Sequence, residues 1–163
     1  MSTPVSNFTG KTIYLDTMTA YAFLRGISSE AKDFFKQIEA GAFLAYTSVL
    51  TFDELAYRLL LALIKDRYGK SPLDRLRGEE TRMIAEFSTT VTDLLRRLQV
   101  FPNIVILDIT AADLDVMNEA MTQYNLRPRD GLHFAAMQRA VCIDLASNDP
   151  HFDNVPNVRR FTI

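Results

Sequence analysis

The chain has 163 residues, 48% of them hydrophobic and 23% charged, and a net charge of −2. This is the composition of one globular domain with a sizeable core, and it excludes collagen-like, low-complexity and strongly basic chains. Cys142 is the single cysteine, so no disulfide framework forms within the chain. Its longest apolar run is far shorter than the roughly 20 residues that cross a bilayer. Residues 1–7 also lack the basic and apolar regions of a secretory signal. A cytoplasmic location without membrane association is the expectation.

Residues 11–15 read as a β-rich strand stopping at Asp16 and Thr17, and residues 17–25 as a helix ending at Gly26. Ser28, Ser29 and Glu30 open a second helix, with Ala31, Phe34, Phe35 and Ile38 on one face and Gly41 after it. A second strand is expected over 42–46. After Thr47 and Ser48 comes a long helix with Phe52, Leu55, Ala56, Leu59, Leu60, Leu63 and Ile64 along one side. Residues 66–78 contain Gly69, Ser71-Pro72 and Gly78, the composition of a loop or insertion. An amphipathic helix covers 79–98, and a third strand 103–107. Thr110 caps a helix to about residue 125, with Asp113 in the capping-box place. A turn at 126–129, a helix at 130–140, a strand at 143–146 and a terminal strand within 158–163 complete the chain. Cys142, between Val141 and Ile143, reads as a buried core thiol.

Strands alternating with helices predict a three-layer α/β/α fold with a mostly parallel central sheet of four or five strands. One domain over 1–163 is expected, with a helical insertion or extended loop near 66–100. Two helices, 110–125 and 130–140, separate strands three and four, so one of them is expected to lie across the sheet.

Open parallel sheets bind ligands at the carboxyl ends of their strands. Asp16 ends the first strand, Glu54 lies early in the helix after the second, and Asp149 follows the fourth. Asp130 opens the helix that feeds the fourth strand and runs antiparallel to it, so it faces the same edge. Each acid also has a capping explanation: Asp16 for 17–25, Glu54 with Thr51 in a capping box, Asp130 as an N-cap, and Asp149 as an N-cap before Pro150. Capping does not require all four to share one rim.

Clustered carboxylates repel one another unless a cation compensates, and hard oxygens select Mg²⁺ or Mn²⁺ rather than zinc. His133 reads as a half-buried helix residue and His151 as an exposed turn residue; with Cys142 they make no zinc spacing. Carboxylate-held divalent ions suit phosphodiester hydrolysis. The six glycines form neither a dinucleotide fingerprint nor a P-loop, and no nucleophile elbow is present. Met18 stands where a haloacid-dehalogenase motif starting at Asp16 needs its second acid. Residues 65–82 hold six basic and four acidic side chains, an excess that fits phosphate contacts or a solvated face equally.

The segments Tyr14-Leu15-Asp16-Thr17, Thr47 through Leu55, Arg129-Asp130-Gly131-Leu132-His133-Phe134-Ala135-Ala136 and Ser147-Asn148-Asp149 with Phe152-Asp153 occur in this order over nearly the whole chain. Together they resemble the PIN-domain ribonucleases, the VapC-like toxins of prokaryotic toxin–antitoxin pairs in particular. The resemblance implies that Asp16, Glu54, Asp130 and Asp149 are the catalytic, metal-binding quartet for Mg²⁺ or Mn²⁺. Asp153 would be an occasional fifth ligand, with Thr17, Ser147 and Asn148 in support. It further implies an endoribonuclease acting on RNA, a homodimer, and a small antitoxin protein that blocks the site. Arg127 and Arg129 are candidates for substrate phosphate contacts. The segment 66–100 is longer than in compact members. The alternatives are a non-catalytic PIN-like binding or assembly module and an RNA-processing nuclease outside a toxin–antitoxin pair.

Overall fold

Ile13, Tyr14 and Leu15 are fully buried in a four-residue strand, and the other elements are laid on either side of them. The computed structural model describes residues 3–163. Its strands are β1 (Thr3–Pro4), β2 (Thr12–Leu15), β3 (Leu44–Ser48), β4 (Ile104–Leu107), β5 (Asp144–Ala146) and β6 (Arg159–Thr162). The helices are α1 (Thr17–Arg25), α2 (Ser29–Glu39), α3 (Val49–Tyr68), α4 (Pro72–Gly78), α5 (Glu80–Gln99), α6 (Asp113–Tyr124) and α7 (Pro128–Arg139), with 3-10 turns at Val5–Asn7 and Pro150–Asn154.

All strand pairs are parallel, in the order β1-β6-β5-β2-β3-β4. Successive side chains of a strand point to opposite faces, and the two cores follow from that. Ile13, Leu15 and Ala146 face Leu24, Phe34, Phe35, Ile38, Leu55 and Leu59 of α1, α2 and α3. Tyr14 and Leu145 face Phe134, Ala136 and Met137 of α7 and Ala120 of α6. Burying both faces is what an all-parallel sheet requires. The α/β/α architecture is therefore the expected one. Of the two helices before β5, α7 lies in the buried cluster while α6 adds Ala120, with Val116 and Tyr124 at its margin, and packs mainly on α7.

Five details differ from the sequence reading, one being that α6 starts at Asp113 with Ala112 as N-cap, not at a Thr110 cap. The sheet has six strands, because β1, a two-residue edge piece ending at Pro4, pairs with β6; proline is tolerated at such an edge. The second strand starts at Leu44 rather than residue 42. Gly41, at φ 75°, and Ala42, whose N–H bonds Gln37 O, are consumed in closing α2. Residues 66–78 are mostly helical: α3 runs to Tyr68 and α4 starts at Pro72. Their packing is a small separate core of Ile64, Leu76, Met83 and Phe87. Finally, α7 begins at Pro128 with Arg127 as N-cap, which places Asp130 inside the first turn instead of at the cap. No helix among the described residues is long and apolar enough to cross a membrane. Cys142 is buried and free, as expected.

Candidate acidic site at the carboxyl edge of the sheet

From β2 the chain steps to β3 and β4 on one side, then returns to place β5 on the other side of β2. The crevice outside the carboxyl ends of β2 and β5 is therefore the topological switch point, where doubly wound sheets bind ligands. Asp16 and Asp149 stand at these two ends, and Ser147 joins them. Its hydroxyl donates to Asp16 Oδ2 and accepts from the Asp149 N–H at 3.0 Å.

Asp16 also performs the capping role. Its Oδ1 accepts from Thr19 N at 3.0 Å and Thr19 Oγ1 at 3.2 Å. It is only 8% exposed. Burial raises its pKa above the usual carboxylate value, against the opposing hydrogen bonds from Ser147 and Thr19. Asp149 caps the 3-10 turn, accepting from His151 N at 2.9 Å and lying 2.6 Å from His151 Nδ1. Burial pushes its pKa upward, but the His151 hydrogen bonds and nearby cations win and hold it low.

Glu54 does not complete a capping box. It lies in the second turn of α3, Ser48 is the N-cap, and Thr51 Oγ1 is buried without a partner. Instead Glu54 Oε2 accepts from Thr17 Oγ1 and lies 3.4 Å from His133 Nε2. Arg129 approaches Glu54 Oε1 at 3.6 Å. Burial raises the Glu54 pKa, yet the His133 and Thr17 hydrogen bonds and the His133 and Arg129 charges together keep it below the ordinary value.

His133 is the largest departure from the sequence reading. Rather than half-buried, it is 3% exposed, with Nδ1 2.8 Å from the Tyr14 hydroxyl, which in turn donates to Ser48 Oγ at 2.8 Å. Burial drives the Tyr14 pKa far upward, so this hydroxyl stays protonated. The chain Glu54–His133–Tyr14–Ser48 fixes the α3 acid from beneath. Its signal in the sequence was the three-residue spacing from Asp130, which puts both side chains toward one side of α7.

Asp130 has no capping explanation left. Its Oδ2 is buried and accepts no hydrogen bond among the described residues. Burial, followed by the charge of Asp149, raises its pKa. An unpaired buried carboxylate oxygen is costly and calls for a ligand.

Asp16, Glu54 and Asp149 line one cavity of about 370 Å³ with Thr17, Asn148, Arg58, Arg127, His133 and His151. Asn148 Oδ1 additionally accepts from Ile163 N at 3.0 Å. Arg127 thus reaches the cavity, while Arg129 bridges Asp53 and Glu54 outside its lining. Asp153 is not brought in. Arg160 grips it at 2.7 and 2.8 Å, and also donates to Ser147 O at 3.2 Å. Arg58 was missed, although it lies one helical turn after Glu54.

Among the described residues, no three or more His, Cys, Asp or Glu side chains are arranged so as to hold a metal ion. Both Asp16 oxygens, Glu54 Oε2 and Asp149 Oδ1 have hydroxyl, amide or imidazole partners, and Glu54 Oε1 has Arg129 at 3.6 Å. Two observations nevertheless fit a hard divalent cation. One is the orphaned Asp130 Oδ2; the other is a donor set made of carboxylate and hydroxyl oxygens, with the Asp16 and Asp130 carboxyls raised by burial.

An α/β/α domain with four acids around its switch point defines the class, and the sequence supports it: the profile of the PIN domain matches residues 13–158. The chain belongs to the PIN domain family. Its fold is shared with VapBC2 from Rickettsia felis bound to a DNA fragment from their promoter, at TM-score 0.62 and 13% identity, over 93% of this chain and 98% of that one. It is shared with the Sarcin-Ricin loop cleaving toxin VapC20 of Mycobacterium tuberculosis, at 0.56 and 13%, over 88% and 95%. A toxin–antitoxin complex from Klebsiella pneumoniae matches at 0.51 and 15%, over 93% and 95%. No curated protein sequence matches the chain significantly.

Proposed function

We propose that the chain is a Mg²⁺- or Mn²⁺-dependent endoribonuclease, the toxin of a toxin–antitoxin pair, with Asp16, Glu54, Asp130 and Asp149 holding the metal. The observation that carries this reading is the buried, unpartnered Asp130 Oδ2 beside a cavity whose walls are three further acids. A bound divalent ion supplies charge neutralisation and water activation at a phosphodiester. The chain's own residues do the rest. Ser147 holds Asp16 and Asp149 in fixed relation, and Thr17 and His133 fix Glu54. Arg127 and Arg58 stand at the cavity where a substrate phosphate needs a counter-charge.

The toxin reading is supported by the VapC fold of the structural neighbours, one of which cleaves the Sarcin-Ricin loop and another of which is a toxin–antitoxin complex. An antitoxin partner and a homodimer belong to the same reading. The test is internal cleavage of single-stranded RNA by purified protein with Mn²⁺, with a chelator, and with Asp16→Asn. Cleavage that needs the metal and Asp16 supports the proposal. No cleavage favours a binding or assembly module, and full cleavage by Asp16→Asn would contradict the assignment of Asp16. For the toxin role, expression alone in a prokaryotic host should slow growth, and Asp149→Asn should restore it. Equal growth of both strains at matched protein levels would contradict that role.

A further inference from the structure

We propose that the groove between α1 and α3 is a backbone-binding track for single-stranded RNA, entered at Arg58. The inference rests on the ribonuclease reading and states where the substrate flanking the reacting phosphodiester lies. A second cavity, also about 370 Å³, opens between these packed helices and is lined by Tyr21, Arg25, Arg58, Leu61, Lys65 and Asp66. Arg58 lines both cavities, so the two adjoin at its side chain.

The helices explain why the two cavities adjoin. Both begin at the acidic edge and lead away from it. α1 places Thr17 and Met18 at the acids, then Tyr21 and Arg25 in the groove. α3 does the same with Glu54 and Arg58, then Leu61 and Lys65. Positions 54, 58, 61 and 65 follow one helical stripe, and the stripe rises about 16 Å from Glu54 to Lys65 at 1.5 Å per residue.

The charge suits a polyanion. Three cations face one carboxylate, Asp66, which Arg25 already holds at 2.8 Å. Among the described residues, Arg58 and Lys65 have no acidic partner within 4.0 Å. Of the rest of the basic segment, Arg75 and Arg82 bind Glu79 and Arg67 reaches Glu86, while Lys70 and Arg77 lie outside the groove's lining. Lys65 is the cation of that segment that faces the groove. Arg25 Nε is buried with no hydrogen-bond partner, a donor left for an acceptor that enters. Tyr21 supplies an aromatic face on which an unpaired base can stack. In a protein of net charge −2, such a local positive path is what draws a nucleic acid to an acidic site. Regular phosphates with a planar base fit this lining better than an acidic peptide does.

The test uses the full chain, with Mn²⁺, on a fluorogenic dinucleotide and on a long single-stranded RNA. Lys65→Ala and Tyr21→Ala should raise KM for the long RNA several-fold, with kcat and dinucleotide cleavage unchanged. Lys65→Ala should also flatten the slope of log KM against log salt by about 0.7, one phosphate contact on a single strand. Arg97→Ala, which removes an exposed charge from α5, should change neither substrate. Anisotropy of labelled RNA in chelator, with the same variants, reads the groove without cleavage. Groove-dependent binding by a protein that never cuts would sustain the track and sink the ribonuclease reading. Cleavage with KM, salt slope and anisotropy all unchanged in Lys65→Ala, Lys65→Glu and Tyr21→Ala would overturn the track. Lys65-dependent capture of a polyglutamate peptide alone would likewise overturn it and give the groove to an acidic protein segment.

Discussion

Asp113 and Asp144 are buried, as Asp16 is, while Glu54, Asp130 and Asp149 are half-buried, and their surroundings differ. Asp113 is gripped by Arg139 at 2.9 and 3.1 Å and by Thr110 N at 2.7 Å. Asp144 is gripped by Arg159 at 2.6 and 2.8 Å. Asp16 and Asp130 have no arginine: one is held by hydroxyls and an amide, and one oxygen of the other is held by nothing. Guanidinium neutralises the buried carboxylates elsewhere, whereas Asp16 and one oxygen of Asp130 at this strand edge have none, which under the proposed function is where a divalent cation would add its charge.

The sharpest way to break the comparison is to remove one charge from each region. Asp16→Asn should lower RNA cleavage at least ~100-fold, the scale of losing a preorganised catalytic group. The fold should persist, since Asn caps α1 about as well as Asp. Circular dichroism beside a cleavage assay checks both halves. Asp113→Asn should do the reverse, leaving cleavage intact and lowering stability by about 2 kcal/mol, because the Arg139 pair is charge-assisted and only partly solvated.

The pH dependences of the two regions have opposite signs. Burial raises the Asp113 pKa, but the Thr110 amide and Arg139 outweigh it and hold it below the ordinary value. A depressed carboxyl contributes stability above its unfolded pKa and loses it as pH falls through the folded value. The wild-type advantage over Asp113→Asn should therefore be full at neutral pH and fade in acid. The Asp130 pKa is raised, first by burial and then by Asp149. Its ionised form opposes folding above the folded pKa and ceases to do so below the unfolded one. Metal-free Asp130→Asn should then be more stable than wild type at neutral pH, by about 1 kcal/mol, the low end for an unsatisfied buried acceptor. That gain should vanish in acid. Thermal melts of the three proteins across pH, in chelator, check both signs.

Much of this was legible because local and global signals agreed. Gly26 and Ser28 bound α1 and α2 as read, since a left-handed glycine and a hydroxyl N-cap act through adjacent backbone. The alternation of Ile13, Tyr14 and Leu15 belongs to a strand buried on both faces. The pattern failed where tertiary contacts decide. Ser71-Pro72 and Gly78 looked like loop chemistry, but Pro72 takes the first helical position, and Leu76 closes a small core with Ile64 and Met83. Asp130 looked like a cap because Pro128 was read as part of a turn, while it starts α7. At the site, Asp16 and Asp149 were placed from strand ends, and Glu54 and Asp130 from helices that meet the same edge. Asp153 was not separable from them, because its partner Arg160 comes from β6. The roles of His133 and Arg58 were not readable either, since one depends on Tyr14 across the sheet and the other on where α1 packs.

The central claim of the proposed function is that Asp16, Glu54, Asp130 and Asp149 hold a divalent cation. Calorimetric titration of Mn²⁺ into wild type, Asp130→Asn and Asp113→Asn tests it without reference to cleavage. At a hundredfold excess over Kd, bound metal stabilises wild type by about 2.7 kcal/mol, and melts in the same buffers give an independent reading. Saturable binding by wild type and Asp113→Asn, with most of it lost in Asp130→Asn, is the predicted result. Undiminished binding by Asp130→Asn, or an equal loss in Asp113→Asn, would contradict the account.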